Sequence, residues 1–106
     1  MGEFEVYLAY VAWGNDGKVR PVLILEKHPA KESTYLAFSI TTKYKKKSEH
    51  IRKNYLKIKD WKELQLSQVS YIDMNKRIDV HEDDITVHKG VLSDRDIRRV
   101  AEKLED

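Results

Sequence analysis

A turn pattern at Gly14–Gly17 separates two runs of strand-forming residues, and it constrains the fold more than any other feature of the chain. Glycine, Asn and Asp tolerate the positive φ values that tight turns require. The runs on either side, Phe4–Ala12 and Val19–Glu26, are rich in β-branched and aromatic residues. This pattern predicts a long β-hairpin. Pro21 has no N–H to donate to a neighbouring strand, so it belongs at the beginning or the edge of the second strand. Arg20 is therefore predicted to lie at the start of that strand.

Further strand patterns follow, so the chain up to His88 is predicted to be almost entirely β. They are Thr34–Thr42, Asn54–Lys59, Leu66–Asp73, Ile78–Val80 and Thr86–His88. Between the second and third of these patterns, Asp60–Leu64 is predicted to form one helical turn capped by the Asp60 side chain.

The C-terminal segment carries a clear helix pattern, which we place at Ser93–Glu105. Ser93 is a favourable N-cap, Asp96 stands three residues later, and Leu92 and Ile97 occupy the hydrophobic staple positions. The apolar stripe of this helix comprises Ile97, Val100, Ala101 and Leu104.

A chain of 106 residues suits a single domain, here 1–106, and the patterns predict a mainly β fold. We expect a strongly curved antiparallel sheet or partly closed barrel against which a C-terminal α-helix packs.

Composition excludes several classes of enzyme. The absence of cysteine rules out a thiol nucleophile and a cysteine-ligated metal, and the four glycines form no phosphate-binding loop. The four histidines lack metal-ligand spacing, and no nucleophile-elbow pattern surrounds a serine, so we expect no metal and no cofactor. No apolar run approaches the roughly 18 residues of a membrane span, and the N-terminus is acidic. We therefore expect a cytoplasmic protein without membrane contact.

Charge is segregated along the chain, although the formal net charge is only +2. The segment Lys43–Lys62 carries nine basic and two acidic residues, a net +7, which leaves −5 for the remainder. Aromatic and imidazole rings interleave with these lysines at Tyr44, His50, Tyr55 and Trp61. Cations bind phosphates and flat rings stack on unpaired bases, so the segment favours contact with single-stranded nucleic acid. A solvated loop that keeps the protein soluble is the alternative interpretation.

Polar residues at predicted strand ends form a second candidate site, comprising Arg20, Thr41, Thr42, Ser67 and Gln68. A guanidinium and a neighbouring hydroxyl could stabilise the negative charge of a five-coordinate phosphorus. In RNA the attacking group can be the substrate's own 2′-hydroxyl, so such a site needs neither a protein nucleophile nor a metal. The alternative is that these side chains only satisfy backbone groups near strand ends.

Several motifs resemble those of the MazF/PemK/Kid family of toxin endoribonucleases. Lys18–Leu25 resembles the family's Arg-Pro-apolar strand, and Ser39–Thr42 resembles its threonine at the end of the third strand. Leu66–Val69 resembles its segment centred on a glutamine. The helix start Leu92–Asp96 and the segments Asp60–Leu64 and Ser70–Tyr71 are also similar. The likeness runs over nearly the whole chain in the family's order.

The resemblance implies a small SH3-like antiparallel β barrel with a C-terminal helix, usually a homodimer. Such proteins cleave single-stranded RNA without a metal and are held inactive by a cognate antitoxin. By this resemblance Arg20 and Thr41 are catalytic: Arg20 stabilises charge and exchanges protons, and Thr41 holds the scissile phosphate. Gln68 braces the site. The implied RNA-binding residues are Lys18, Thr42, Lys43, Lys45, Lys46, Lys47, Ser67 and Gln68.

Two positions depart from the family pattern. Ser67 stands where the family usually has Asp or Glu before the glutamine, and Val19 stands where some members have histidine. Both changes remove an acid/base group, for which Asp16, Lys18 and His50 are candidate replacements. An alternative function is therefore a catalytically weak or inactive SH3-like barrel that binds RNA or a protein partner.

Overall fold

The computed structural model describes residues 1–105 as a six-stranded sheet with short helical segments. The strands are β1 (Glu5–Trp13), β2 (Asp16–Lys27), β3 (Thr34–Thr41), β4 (Tyr55–Lys57), β5 (Tyr71–His81) and β6 (Ile85–Val91). The helices are α1 (Glu49–Arg52) and α2 (Asp94–Leu104), and 3₁₀ turns span Trp61–Leu64 and Glu82–Asp84. Within residues 1–105, neither α1 nor α2 has the length and apolar character that a membrane span requires.

The sheet is antiparallel throughout, with the strand order β4-β5-β3-β2-β1-β6. The predicted mainly β fold with a C-terminal helix is therefore confirmed. Hydrogen bonding does not close the sheet into the expected barrel, because β4 and β6 stand at opposite edges of the strand order. The predicted hairpin is present, and Trp13 pairs with Asp16 around a two-residue turn in which Gly14 has a φ of 56°. Glycine adopts this backbone conformation without steric cost.

Three strand predictions need correction. Leu66–Ser70 is irregular, so the strand predicted at Leu66–Asp73 begins only at Tyr71. It then continues to His81 and includes Ile78–Val80, which the sequence predicted as a separate strand. The strand predicted at Asn54–Lys59 shortens to β4. Beyond its end, the Ile58 N–H bonds the Ser70 carbonyl in the irregular connection.

The main core lies between one face of the sheet, the first 3₁₀ turn and α2. A cross-strand row of Val6, Leu23 and Phe38 is buried there beneath Leu92 and Val100. Directly opposed residues of antiparallel strands share a face, so this row forms one continuous apolar surface. A smaller cluster on the other face contains Ala9, Val22, Ile24, Ala37 and Val80.

The helix α2 begins as the sequence predicted, since the Ser93 hydroxyl accepts the Asp96 N–H. Its predicted apolar stripe packs only in part. Val100 is buried and Ile97 contacts the main core, whereas Ala101 and Leu104 are exposed. The Asp60 side chain makes no capping bond to the first 3₁₀ turn, contrary to the sequence prediction.

Candidate active site

A cleft opens where β2 and β3 separate. Their register runs through Val22↔Ser39, and the residues beyond this pair, Arg20 on β2 and Thr41 on β3, are unpaired with each other. Pro21 lies at this point in β2 and cannot donate to a ladder. The two strands therefore diverge at the positions that carry the arginine and the threonine.

Register also explains why these side chains share one face. Val22, Ser39, Asp73 and Tyr55 form a row across β2, β3, β5 and β4. Opposed residues of antiparallel strands point the same way, and side chains two apart in a strand share a face. Arg20, two residues before Val22, and Thr41, two residues after Ser39, therefore point to the side on which this row lies.

These residues line a cavity of about 510 Å³, hereafter the Arg20 cleft. Its basic side chains are Lys18, Arg20, Lys43, Lys47 and Lys76. Its other polar side chains are Ser39, Thr41, Thr42, Tyr55, Ser70 and Asp73. With five basic side chains and one carboxylate, the Arg20 cleft is strongly cationic. A cationic cleft attracts an anionic ligand such as a phosphodiester.

Arg20 has unused hydrogen-bonding capacity. Its Nε is buried and has no hydrogen-bond partner among residues 1–105. The guanidinium carbon lies 4.9 Å from the centre of the Trp13 ring, which is consistent with a cation–π contact. A buried donor without a partner is costly, and functional sites are among the places where such groups persist. Arg20 lines the cleft and forms no salt bridge among residues 1–105, so its terminal nitrogens can donate to an oxygen of a ligand without giving up an ion pair.

Thr41 is the last residue of β3, two residues before the basic segment Lys43–Lys62. Its hydroxyl oxygen accepts the Lys43 N–H at 3.1 Å, which leaves the hydroxyl hydrogen free to donate. The bond fixes the direction in which the chain leaves β3, and Thr42, Lys43 and Lys47 also line the cleft. The structure thus places six of the sequence-predicted site residues together: Lys18, Arg20, Thr41, Thr42, Lys43 and Lys47.

The other predicted site residues do not line the Arg20 cleft. Lys45 and Lys46 are exposed in the loop between β3 and α1, residues 42–48, hereafter the basic loop. Ser67 and Gln68 are exposed in the irregular connection before β5, where the Gln68 carbonyl accepts the Ser70 hydroxyl at 2.9 Å. Their roles in RNA binding, and the bracing role of Gln68, stay predictions.

The aromatic residues of the basic segment separate into different environments. Tyr55 lines the cleft, while Tyr44 stacks on Tyr71 with ring centres 4.3 Å apart and planes 8° apart. Trp61 instead packs against the main core. Its ring is therefore not freely exposed for the base stacking that the sequence pattern suggested. Burial raises the pKa of Tyr55, with a further increase from Asp73 and an opposing effect of Arg20.

Comparison with known proteins identifies the family. A family model described as PemK-like, MazF-like toxin of type II toxin-antitoxin system matches residues 3–106. The chain belongs to this family. The match covers nearly the whole toxin, and the resemblance inferred from its motifs is confirmed. No curated protein matches the chain.

The sequence patterns did not indicate three charged or aromatic residues of the toxin's cleft: Trp13, Asp73 and Lys76. Asp73 immediately precedes an irregularity of β5, where Ser39↔Asp73 and Ala37↔Ile78 leave Met74–Arg77 opposite Phe38 alone. Lys76 lies within this irregularity and lines the cleft. A carboxylate directly after the apolar Ile72 was the only sequence signal for Asp73.

Proposed function

We propose that this toxin is a metal-independent endoribonuclease that cleaves single-stranded RNA by attack of the substrate's own 2′-hydroxyl. Family membership supports a ribonuclease activity, with RNA and an antitoxin as partners. The observation that carries the specific mechanism is the Arg20 guanidinium, which forms no salt bridge among residues 1–105, in a cationic cleft that also contains Thr41.

In this reaction the 2′-oxygen attacks phosphorus and the bond to the 5′-oxygen breaks. The products are a 2′,3′-cyclic phosphate and a 5′-hydroxyl end. Negative charge builds on the non-bridging oxygens as the five-coordinate phosphorus forms. Preorganised donors aimed at those oxygens lower the barrier. Arg20 is the stabiliser of this charge, because a guanidinium donates in a fork that fits phosphate and stays protonated at any physiological pH.

Thr41 and the lysines have distinct roles in the proposal. The free hydroxyl hydrogen of Thr41 donates to the scissile phosphate and holds it in line. Lys18, Lys43 and Lys47 bind the flanking phosphates, with Thr42 as an additional donor. Lys45, Lys46, Ser67 and Gln68 contact RNA outside the cleft, where they are exposed.

The partners follow from the same surface. An acidic segment of a cognate antitoxin would compete with RNA for the cationic cleft, which accounts for inhibition. A homodimer is supported by exposed apolar residues on β6, β1 and β2, where Tyr10 and Val19 are paired neighbours and Val87 lies on β6, the strand next to that of Tyr10. The toxin acts in the cytoplasm, where its RNA substrate is found.

The test is cleavage of a long single-stranded RNA in EDTA, with the 5′ ends sequenced. Wild type should release fragments with 5′-hydroxyl ends, and Arg20→Ala, checked for folding by circular dichroism, should not. Wild type that binds RNA with a steep salt dependence but leaves it intact would support the alternative, a barrel-like RNA-binding protein without activity. Equal cleavage by Arg20→Ala would contradict the proposed mechanism.

A further inference from the structure

The Arg20 cleft contains one carboxylate among its lining residues in the described part of the chain, and the proposed reaction has no assigned group to take the proton of the 2′-hydroxyl. Arginine is a poor proton acceptor, because its pKa lies above about 12. The family's usual acidic residue before the glutamine is Ser67 here, and Ser67 lies outside the cleft. A base has to come from elsewhere in the cleft.

Asp73 lies in the row that organises the site. It pairs with Ser39 on β3 and with Tyr55 on β4, and all three side chains line the cleft. The strands that carry Arg20 and Thr41 diverge just beyond the Val22↔Ser39 pair. Ser39 on β3 and Asp73 on β5 therefore lie next to this point. Burial raises the pKa of Tyr55, and the charge of Asp73 raises it further while that of Arg20 lowers it.

The hydrogen bonds of Asp73 leave one carboxylate oxygen free. Oδ1 accepts the Asn75 backbone N–H at 3.0 Å and the Asn75 Nδ2 at 2.8 Å. No bond to Oδ2 occurs among residues 1–105, and Asp73 forms no salt bridge there. Asn75 is itself fixed, since its Nδ2 also donates to the Ile51 carbonyl of α1 and its Oδ1 accepts from Asn54. One oxygen anchors the side chain while the other remains available as an acceptor.

We propose that Asp73 is the general base of the cleavage reaction and replaces the acidic residue that the family pattern places at Ser67. This inference rests on the proposed function. Oδ2 takes the proton of the 2′-hydroxyl as O2′ forms its bond to phosphorus, and the bond from phosphorus to O5′ breaks. The departing 5′-oxygen takes a proton from solvent, and the carboxyl returns its proton to solvent. No oxidant, metal or water molecule is consumed.

The charged groups around Asp73 suit this role. Arg20 and Lys18 face the cleft from β2, Lys43 and Lys47 from the basic loop, and Lys76 from β5, with the Tyr55 hydroxyl on β4. These cations offset the repulsion between the Asp73 carboxylate and a phosphate. A carboxylate is therefore tolerated in a cleft that binds an anion.

The experiment compares Asp73→Asn with Asp79→Asn, a matched control. Asp79 lies on the same strand but outside the cleft, where it pairs with Lys31. Asn at position 73 keeps an oxygen for the Asn75 donors and loses only the base. We expect Asp73→Asn to reduce single-turnover cleavage of RNA by about a hundredfold to ten-thousandfold, and Asp79→Asn to leave it unchanged.

Two further readouts separate a base from a structural anchor. Wild-type kcat/KM should fall on acidification as one group takes up a proton, and Asp73→Asn should lose that dependence. Binding of an uncleavable RNA with 2′-O-methyl groups should be equal or tighter in Asp73→Asn, because a negative charge has been removed from a phosphate site. Asn75→Ala, which removes the Nδ2 anchor but keeps the carboxylate, should keep the pH dependence.

The outcomes distinguish this inference from the proposed function. Cleavage that depends on Arg20 but is the same in Asp73→Asn and Asp79→Asn would overturn the role of Asp73 and leave the ribonuclease mechanism intact. Loss of cleavage together with loss of binding to the 2′-O-methyl RNA would show a structural role and also overturn it. Wild type that leaves RNA uncut in EDTA would overturn both.

Discussion

Two groups of charged side chains in this toxin are organised in opposite ways. Around the start of α2, two carboxylates have internal partners: Asp60 accepts from Ser93 and Arg95, and Asp96 accepts from Arg99 and two backbone N–H groups. In the Arg20 cleft, Lys18, Lys43, Lys47 and Lys76 form no salt bridges among residues 1–105, and the buried Nε of Arg20 has no partner.

The difference shows which charges serve the fold and which are available to a ligand. Carboxylates that bond backbone N–H groups join separate segments, and their removal leaves buried donors unpaired. Unpaired cations gathered in a cleft contribute little to folding and repel one another, so their proximity indicates an anionic ligand. Variants of the first group should therefore change stability, and variants of the second should change RNA binding or cleavage.

The largest effect is expected at Arg20, where activity and stability should separate. Arg20→Ala removes a donor to the developing phosphorane charge, so cleavage should fall by about a hundredfold to a thousandfold. Stability should change by less than about 1 kcal/mol, because the lost contact with Trp13 is offset by removal of a buried unpartnered Nε. Single-turnover cleavage and urea unfolding measure the two quantities. Arg98→Ala, an exposed arginine on α2, is the control.

Substitution of Asp96 should have the opposite effect, lower stability with unchanged activity. This side chain is 1% exposed and accepts the N–H groups of Lys59 and Asp60 at 3.1 and 2.9 Å, which ties the first 3₁₀ turn to α2. Asp96→Ala should lower the free energy of unfolding by about 2–4 kcal/mol, measured by urea titration. Per folded molecule, cleavage should be unchanged. The exposed Glu102→Ala on the same helix controls for the helix itself. A loss below about 0.5 kcal/mol would show that water replaces these bonds.

The lysines of the basic loop allow a finer comparison, because the structure divides them. Lys43 and Lys47 line the cleft, whereas Lys45 and Lys46 do not. The double variant K43Q/K47Q should weaken binding of uncleavable RNA and reduce the slope of log affinity against log salt by about 1.4, since each phosphate contact contributes about 0.7. The double variant K45Q/K46Q has the same net charge and should change the slope less. Equal slopes would mean that the whole loop binds RNA as a diffuse positive surface.

Much of this arrangement could be predicted from local sequence. Period-two patterns and the turn at Gly14–Gly17 predicted the hairpin, and the Ser93 cap predicted the start of α2. The positions of Arg20 and Thr41 at strand ends followed from the same patterns together with the family resemblance. These features depend on contacts between residues close in sequence, or on strands whose ends are marked by proline or hydroxyl residues.

Features set by long-range register could not be predicted. The alternation at Leu66–Asp73 resembles a strand, but the connection bonds to itself through Ser70 and leaves the sheet until Tyr71. Asp73 enters the site because β5 pairs with β3 through Ser39↔Asp73, and Lys76 lies in the irregularity at Met74–Arg77, which no local pattern marks. The helical turn α1 was likewise hidden within a run of lysines, although the Ser48 side chain caps it.

The smallest expected effect concerns acid stability and Asp60. Hydrogen bonds from Arg95, and then from Ser93, lower the pKa of Asp60 to about 2 from an ordinary 3.8. Because the folded pKa lies below the unfolded one, the ionised carboxylate stabilises the fold above pH 3.8, and this contribution is lost as the pH falls toward 2. Asp60→Asn should therefore be less stable than wild type at pH 5, and the difference should shrink in acid. Arg95→Ala should remove the same pH dependence, because it removes the main cause of the shift. Urea unfolding at stepped pH measures it, and a constant difference between wild type and Asp60→Asn from pH 5 to pH 2 would mean that the Arg95 pair is replaced by solvent in solution.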